Sequence, residues 1–135
     1  VSPSSPDTVT TLDEVRNWCR VAAQAAWAKG GADTIVLSVG EVLAITDAFV
    51  ITSGSNPRQV RTIVDEVEER LKRSGGPAPL RIEGLDDARW VLMDYGDFVV
   101  HVLLNEARDF YQLERLWSDA ERWDWDRSAG VASGE

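Results

Sequence analysis

The sequence holds one cysteine, one histidine and one methionine among 135 residues. A lone cysteine excludes a disulfide framework within the chain and any multi-cysteine zinc site. With a single histidine as well, no histidine-rich metal centre can be built, and no metal or cofactor is expected. Basic residues are also scarce: 14 Lys and Arg stand against 23 Asp and Glu, a formal net charge of −9. Phosphate backbones reward clustered Lys and Arg, so no sequence-specific nucleic-acid partner is expected. The imbalance favours a basic partner through long-range attraction and faster encounter. Apolar runs are short. Phe98 to Leu104, broken by His101, falls far below the roughly 20 residues a membrane helix needs. No charged segment followed by an apolar stretch opens the chain, which reads as a soluble cytoplasmic protein with no membrane partner.

What remains is ordinary globular composition, with 44% hydrophobic and 27% charged residues. The length suits one domain, with a core able to hold without staples. The Ser- and Pro-rich start, residues 1–10, and the end, residues 128–135, carry little to bury and are expected to be disordered tails around a domain at 11–127.

Thr11 and Glu14 form a capping box ahead of a helix whose Leu12, Val15, Trp18, Cys19, Ala22, Ala26 and Trp27 make one apolar face. Gly30 and Gly31 supply its stop. Thr34 to Val39 and Ala48 to Ser53 read as buried strands. Asn56, Pro57 and Gln59 open a second helix with its stripe at Val60, Ile63, Val64, Val67 and Leu71, ended by Gly75. Leu80 to Glu83 is a short strand. Trp90 to Tyr95 and Phe98 to Leu104 form a hairpin across Gly96 and Asp97. Arg108 to Trp117 is expected to be one helix, with Phe110, Leu113 and Leu116 or Trp117 inward. The order α-β-β-α-β-β-β-α predicts a single three-layer α/β (α+β) domain, a mixed sheet covered by helices.

Few residues suggest chemistry. Gly54-Ser55, between a strand and a helix, is where helix amides can hold a phosphate, as in nucleotidyltransferases. Such enzymes also need paired carboxylates on a strand to hold magnesium, and no Asp-x-Asp occurs on one. His101 has no nucleophile or carboxylate identifiable by spacing, so it reads as a structural histidine. Six tryptophans in so short a chain are many. Trp18 and Trp27 are expected in the core, and Trp90, next to Arg89, is a candidate binding anchor. Trp123 and Trp125 lie in an acidic stretch that could fold back or bind.

The stretches Asp47-Ala-Phe-Val-Ile, Ser53-Gly-Ser-Asn-Pro-Arg-Gln-Val60 and Glu83-Gly84 stand in a recognisable order. They are followed by Trp90-Val-Leu-Met-Asp-Tyr-Gly-Asp-Phe-Val-Val-His101 and Arg108-Asp-Phe-Tyr-Gln-Leu-Glu-Arg-Leu-Trp117. In order and spacing, the segment from Asp33 to Trp117 resembles the ribosomal silencing factor family, also called Iojap-like or RsfS. The resemblance implies a nucleotidyltransferase-like fold without the metal carboxylates, and therefore no enzyme. It implies a homodimer that binds a basic large-subunit ribosomal protein of the L-fourteen type. There it would block joining of the small subunit and repress translation under nutrient limitation. The implied contact lies around the hairpin and the following helix: Trp90, Leu92, Asp94, Tyr95, His101, Arg108 and Tyr111. Strand alternation puts Trp90, Leu92 and Asp94 on one face and Tyr95 on the other, so not all of these can touch one partner unless the strand twists or ends near Asp94. Two other readings stay open: a nucleotidyltransferase-like enzyme, and an acidic dimeric scaffold with no ribosomal partner.

Overall fold

The computed structural model describes residues 10–125, apart from 42 and 44. The two expected tails, save Thr10, and the end of the expected domain therefore lie outside the described residues. The elements are α1 (Leu12–Ala28), β1 (Ala32–Ser38), β2 (Ala48–Gly54), α2 (Pro57–Arg73), β3 (Arg81–Glu83), β4 (Trp90–Asp94), β5 (Phe98–Leu104), α3 (Asn105–Tyr111), α4 (Leu113–Leu116) and β6 (Glu121–Arg122). Six strands make one mixed sheet in the order β3-β4-β5-β2-β1-β6. Only β2 and β5 run parallel; the other neighbours are antiparallel.

Local signals start both long helices. Thr11 Oγ1 accepts from the Glu14 amide at 3.1 Å while Glu14 Oε1 accepts from the Thr11 amide at 2.8 Å, a complete capping box. Asn56 Oδ1 accepts from the Gln59 amide at 2.8 Å, with Pro57 in the first turn, where its missing N–H costs nothing. At the end of α1, Gly30 takes φ +83°, the left-handed conformation a side chain resists.

Alternation along the strands divides the sheet into two faces. Val50 and Thr52 of β2, Val91 and Met93 of β4, and Phe98, Val100 and Val102 of β5 are buried on the face that carries α1 and α2. Those helices meet it through Ala22, Ala26, Ile63, Val64 and Val67, all buried. The opposite face carries Phe49, Ile51, Trp90, Leu92, His101 and Leu103, and among the described residues the short α3 packs on it.

Four expectations need correction. The stretch Arg108 to Trp117 is not one helix: Gln112 sits at φ +50° and splits it into α3 and α4. With that break, Phe110 (74% exposed) and Leu116 (72% exposed) point outward, and only Leu113 of the expected stripe is buried. Trp27, at the end of α1, is part-exposed rather than core, as is Leu12 at its start. Strand β6 was not foreseen. It pairs with β1 through Arg122 opposite Leu37 and Glu121 opposite Ser38, and closes that sheet edge. The tryptophans after it fold back: Trp125 Nε1 donates to the Thr34 carbonyl at 2.9 Å, and the Arg16 guanidinium lies 4.9 Å from the Trp123 ring centre.

Candidate protein-binding face

On the face opposite α1 and α2, aromatic rings line up across β2, β5, β4 and α3, with Trp117 just past α4. Trp117 stands edge-on to Phe49 at 5.6 Å, and Phe49 stands edge-on to His101 at 4.7 Å. Next comes Trp90, its ring centre 6.0 Å from that of His101 and 4.8 Å from that of Tyr111. Phe110 meets Tyr111 edge-on at 5.0 Å and extends the file into solvent. The register explains the assembly: Leu92 opposes His101 and Trp90 opposes Leu103, so the hairpin turns all four to the same side. Trp90 and Leu92 stay half-buried because α3 is too short to cover them, and Tyr111 is exposed.

The seven residues expected at a contact therefore separate. Trp90, Leu92 and Tyr111 share one accessible surface. Asp94 lies on the same strand face, but its carboxylate is engaged: Oδ1 accepts from the Gly96 amide at 2.9 Å, and Oδ2 is 3.3 Å from Arg81 Nη2. Tyr95 points to the other side of the sheet, buried and stacked on Phe98 at 4.8 Å. Burial pushes its phenol well above the usual range, helped by the negative charge of Glu68 on α2.

His101 is 5% exposed and Arg108 is 6% exposed, so neither offers a surface. The Trp90 indole N–H donates to His101 Nδ1 at 3.1 Å, which leaves the imidazole proton on Nε2. Burial lowers the histidine pKa to about 4, so the ring is neutral at physiological pH. Arg108 is a brace. Its Nε donates to Glu114 at 2.9 Å, and its Nη1 donates to the Ala32 carbonyl at 3.0 Å and Ser53 Oγ at 3.3 Å. It ties α3 and α4 to the β1–β2 end of the sheet.

Phe49, Trp117 and Phe110 belong to this face and were not expected there. Phe49 looked like any other residue of a buried strand, and Phe110 shows only once the αL residue Gln112 breaks the helix.

The phosphate-binding possibility at Gly54-Ser55 is answered by Gln59. Its side-chain oxygen accepts from the Ser55 amide at 2.7 Å and from Ser55 Oγ at 2.9 Å, the place an anion would occupy. Among the described residues, no group of three or more His, Cys, Asp or Glu is placed to hold a metal ion. No helix there is long and apolar enough to cross a membrane.

The fold and the aromatic face together describe an α/β domain with an accessible aromatic surface. Comparison with known proteins gives it a family. The family model described as "Ribosomal silencing factor during starvation" matches residues 12–134, beyond the stretch from Asp33 to Trp117 at both ends. A ribosomal silencing factor of Bacillus subtilis is 37% identical over 107 residues, covering 79% of this chain and 90% of that one. A mouse protein named for mitochondrial assembly of the ribosomal large subunit is 36% identical over 89 residues, 64% of this chain and 39% of its own. A crystal structure from Chromobacterium violaceum superposes with a TM-score of 0.74 at 32% identity, covering 78% of this chain and 87% of that one. The chain belongs to the ribosomal silencing factor (RsfS, Iojap-like) family, whose members are non-enzymatic regulators of translation.

Proposed function

We propose that this chain silences translation by binding the large ribosomal subunit through a basic protein of the L-fourteen type, so that the small subunit cannot join. The reading extends to repression under nutrient limitation, in the cytoplasm, by a chain that forms a homodimer. The observation that carries it is the half-open surface of Trp90, Leu92 and Tyr111. Large aromatic groups left accessible on a rigid sheet are anchors of protein contacts, because they bury much area at small rotamer cost. Electrostatics agree: with a net charge of −9, the chain attracts a basic protein rather than a bare phosphate backbone. At Gly54-Ser55, where the enzyme alternative would hold an anion, the Gln59 side chain bonds the Ser55 amide. Exposed apolar side chains outside the aromatic file, among them Ile45 and Leu80, supply surface for self-association.

Sedimentation tests the reading. The chain should travel with purified large subunits and prevent their association with small ones. Trp90→Ala should weaken binding about thirtyfold, roughly 2 kcal/mol, without unfolding the chain. Parent-like binding by a folded Trp90→Ala variant would move the contact off the hairpin. Light scattering that finds only monomer at micromolar concentration would remove the dimer, which should bury about 1,200 Å² or more.

A further inference from the structure

His101 poses a question that packing does not answer. It lies in the middle of an aromatic file, with Phe49 edge-on at 4.7 Å, and its Nε2–H is buried without a hydrogen-bond partner. A buried donor with no acceptor is unfavourable, and a phenyl ring would fill the same space without it. One thing the imidazole supplies and a phenyl cannot is an acceptor, and Nδ1 uses it to hold the Trp90 indole N–H at 3.1 Å.

We propose that His101 is the positioning residue of the hairpin face: its Nδ1 fixes the Trp90 ring and takes up the ring's only donor, so that Trp90 meets a partner with its apolar face and not with its N–H. The inference deepens the reading of this face as the ribosomal contact and rests on it. Two contacts hold the indole, the hydrogen bond from His101 and the Tyr111 ring packed at 4.8 Å. A ring held this way loses little freedom on binding, which favours affinity. Its N–H is already bonded, so a carbonyl or carboxylate on the partner gains nothing at this point. The chemistry that fits is an aliphatic stem or a cationic group laid over the ring, as an arginine or lysine of a basic protein provides. His101 itself stays out of the contact.

The test reads the bond and the binding separately, on the full chain. With indole nitrogen-15 labelling, the Trp90 N–H resonance is assigned by its loss in Trp90→Phe. In the parent it should lie away from the position of a water-exposed indole, return toward that position in His101→Phe, and be restored in part by His101→Asn, which keeps an acceptor. Thermal melts establish that each variant is folded. If His101→Phe does not fold, His101→Leu takes its place. Titration against the isolated L-fourteen-type protein should show about tenfold weaker binding for His101→Phe and recovery in His101→Asn. In a Trp90→Phe background, which has no indole N–H, removing the histidine should change binding less than twofold. An unmoved Trp90 resonance, or an equal loss of binding in both backgrounds, overturns the positioning role. If Trp90→Ala binds like the parent, the hairpin reading fails and takes the positioning role with it. That failure is distinct, because the indole resonance would still report the bond.

Discussion

The two faces of the sheet are built by different rules. Under α1 and α2, the sheet presents Val50, Val91, Met93, Val100 and Val102, and the helices answer with Ala22, Ala26, Ile63 and Val67. These contacts are numerous and apolar. On the other face, a few aromatic rings, one buried histidine and one buried arginine hold α3 and α4 in place. There, single polar groups decide geometry, and aromatic surface is left over for a partner. The contrast teaches how one sheet serves two ends: the first face fixes the fold, and the second uses its side chains to set shape and orientation.

Removing the largest fully buried side chain of the first face should have the largest effect. Phe98, fully buried and stacked on Tyr95, should cost about 4 kcal/mol as Phe98→Ala in urea denaturation, through lost burial and the cavity left behind. A cost near zero would mean that this face is not the main core. Arg108→Ala should follow at about 2 kcal/mol, because it removes the three hydrogen bonds that tie α3 and α4 to β1 and β2 and leaves the half-buried Glu114 carboxylate without its cation, while Ser53 Oγ keeps its bond to the Ala32 carbonyl. Arg108→Ala with Glu114→Leu should recover much of that loss, since it removes both charges together.

The third prediction concerns pH. His101 is neutral in the folded state, with a pKa lowered to about 4, while in the unfolded chain it titrates near its ordinary 6.5. Between those values the unfolded state binds the extra proton, so this contribution is complete above about pH 7 and is lost as pH falls toward 4. The full drop is about 3 kcal/mol at most. Denaturation of parent and His101→Phe at several pH values should give a difference in slope confined to that window. Parallel curves would show the ring to be solvated. The smallest effect belongs to a local contact on the first side: Thr11→Ala should lower stability by about 1 kcal/mol, the ordinary worth of a helix cap.

Legibility followed the same division. The capping box at Thr11, the Asn56-Pro57 start and the stripe Val60 to Leu71 announce the two long helices, because 3.6-residue periodicity and caps are local properties. The hairpin of β4 and β5 was readable for the same reason. The segment after β5 was not. A left-handed Gln112 is encoded by no turn residue that a sequence flags, so the helix break, and with it the outward turn of Phe110 and Leu116, stayed hidden. Strand β6 is two residues long and exists only because β1 offers an unpaired edge to it. On the aromatic face, the resemblance named Trp90, Leu92 and Tyr111, which the structure places on one accessible surface. The resemblance also placed Tyr95, His101 and Arg108 at the contact, and the structure puts all three inside.

By itself, the sequence determined the negative charge, the exclusion of a disulfide framework, the helices under the sheet and the hairpin carrying Trp90, since each depends on composition or on neighbours a few residues apart. Only the tertiary structure decided what those residues do. Asp94 became a partner of Arg81, Gln59 filled the place of an anion, Arg108 became a brace, and His101 came to hold Trp90 from behind. Apart from the near-neighbour Gln59, each of these pairings joins groups brought together by strand register or by the return of the chain across the sheet. Such distances do not exist until the fold has formed.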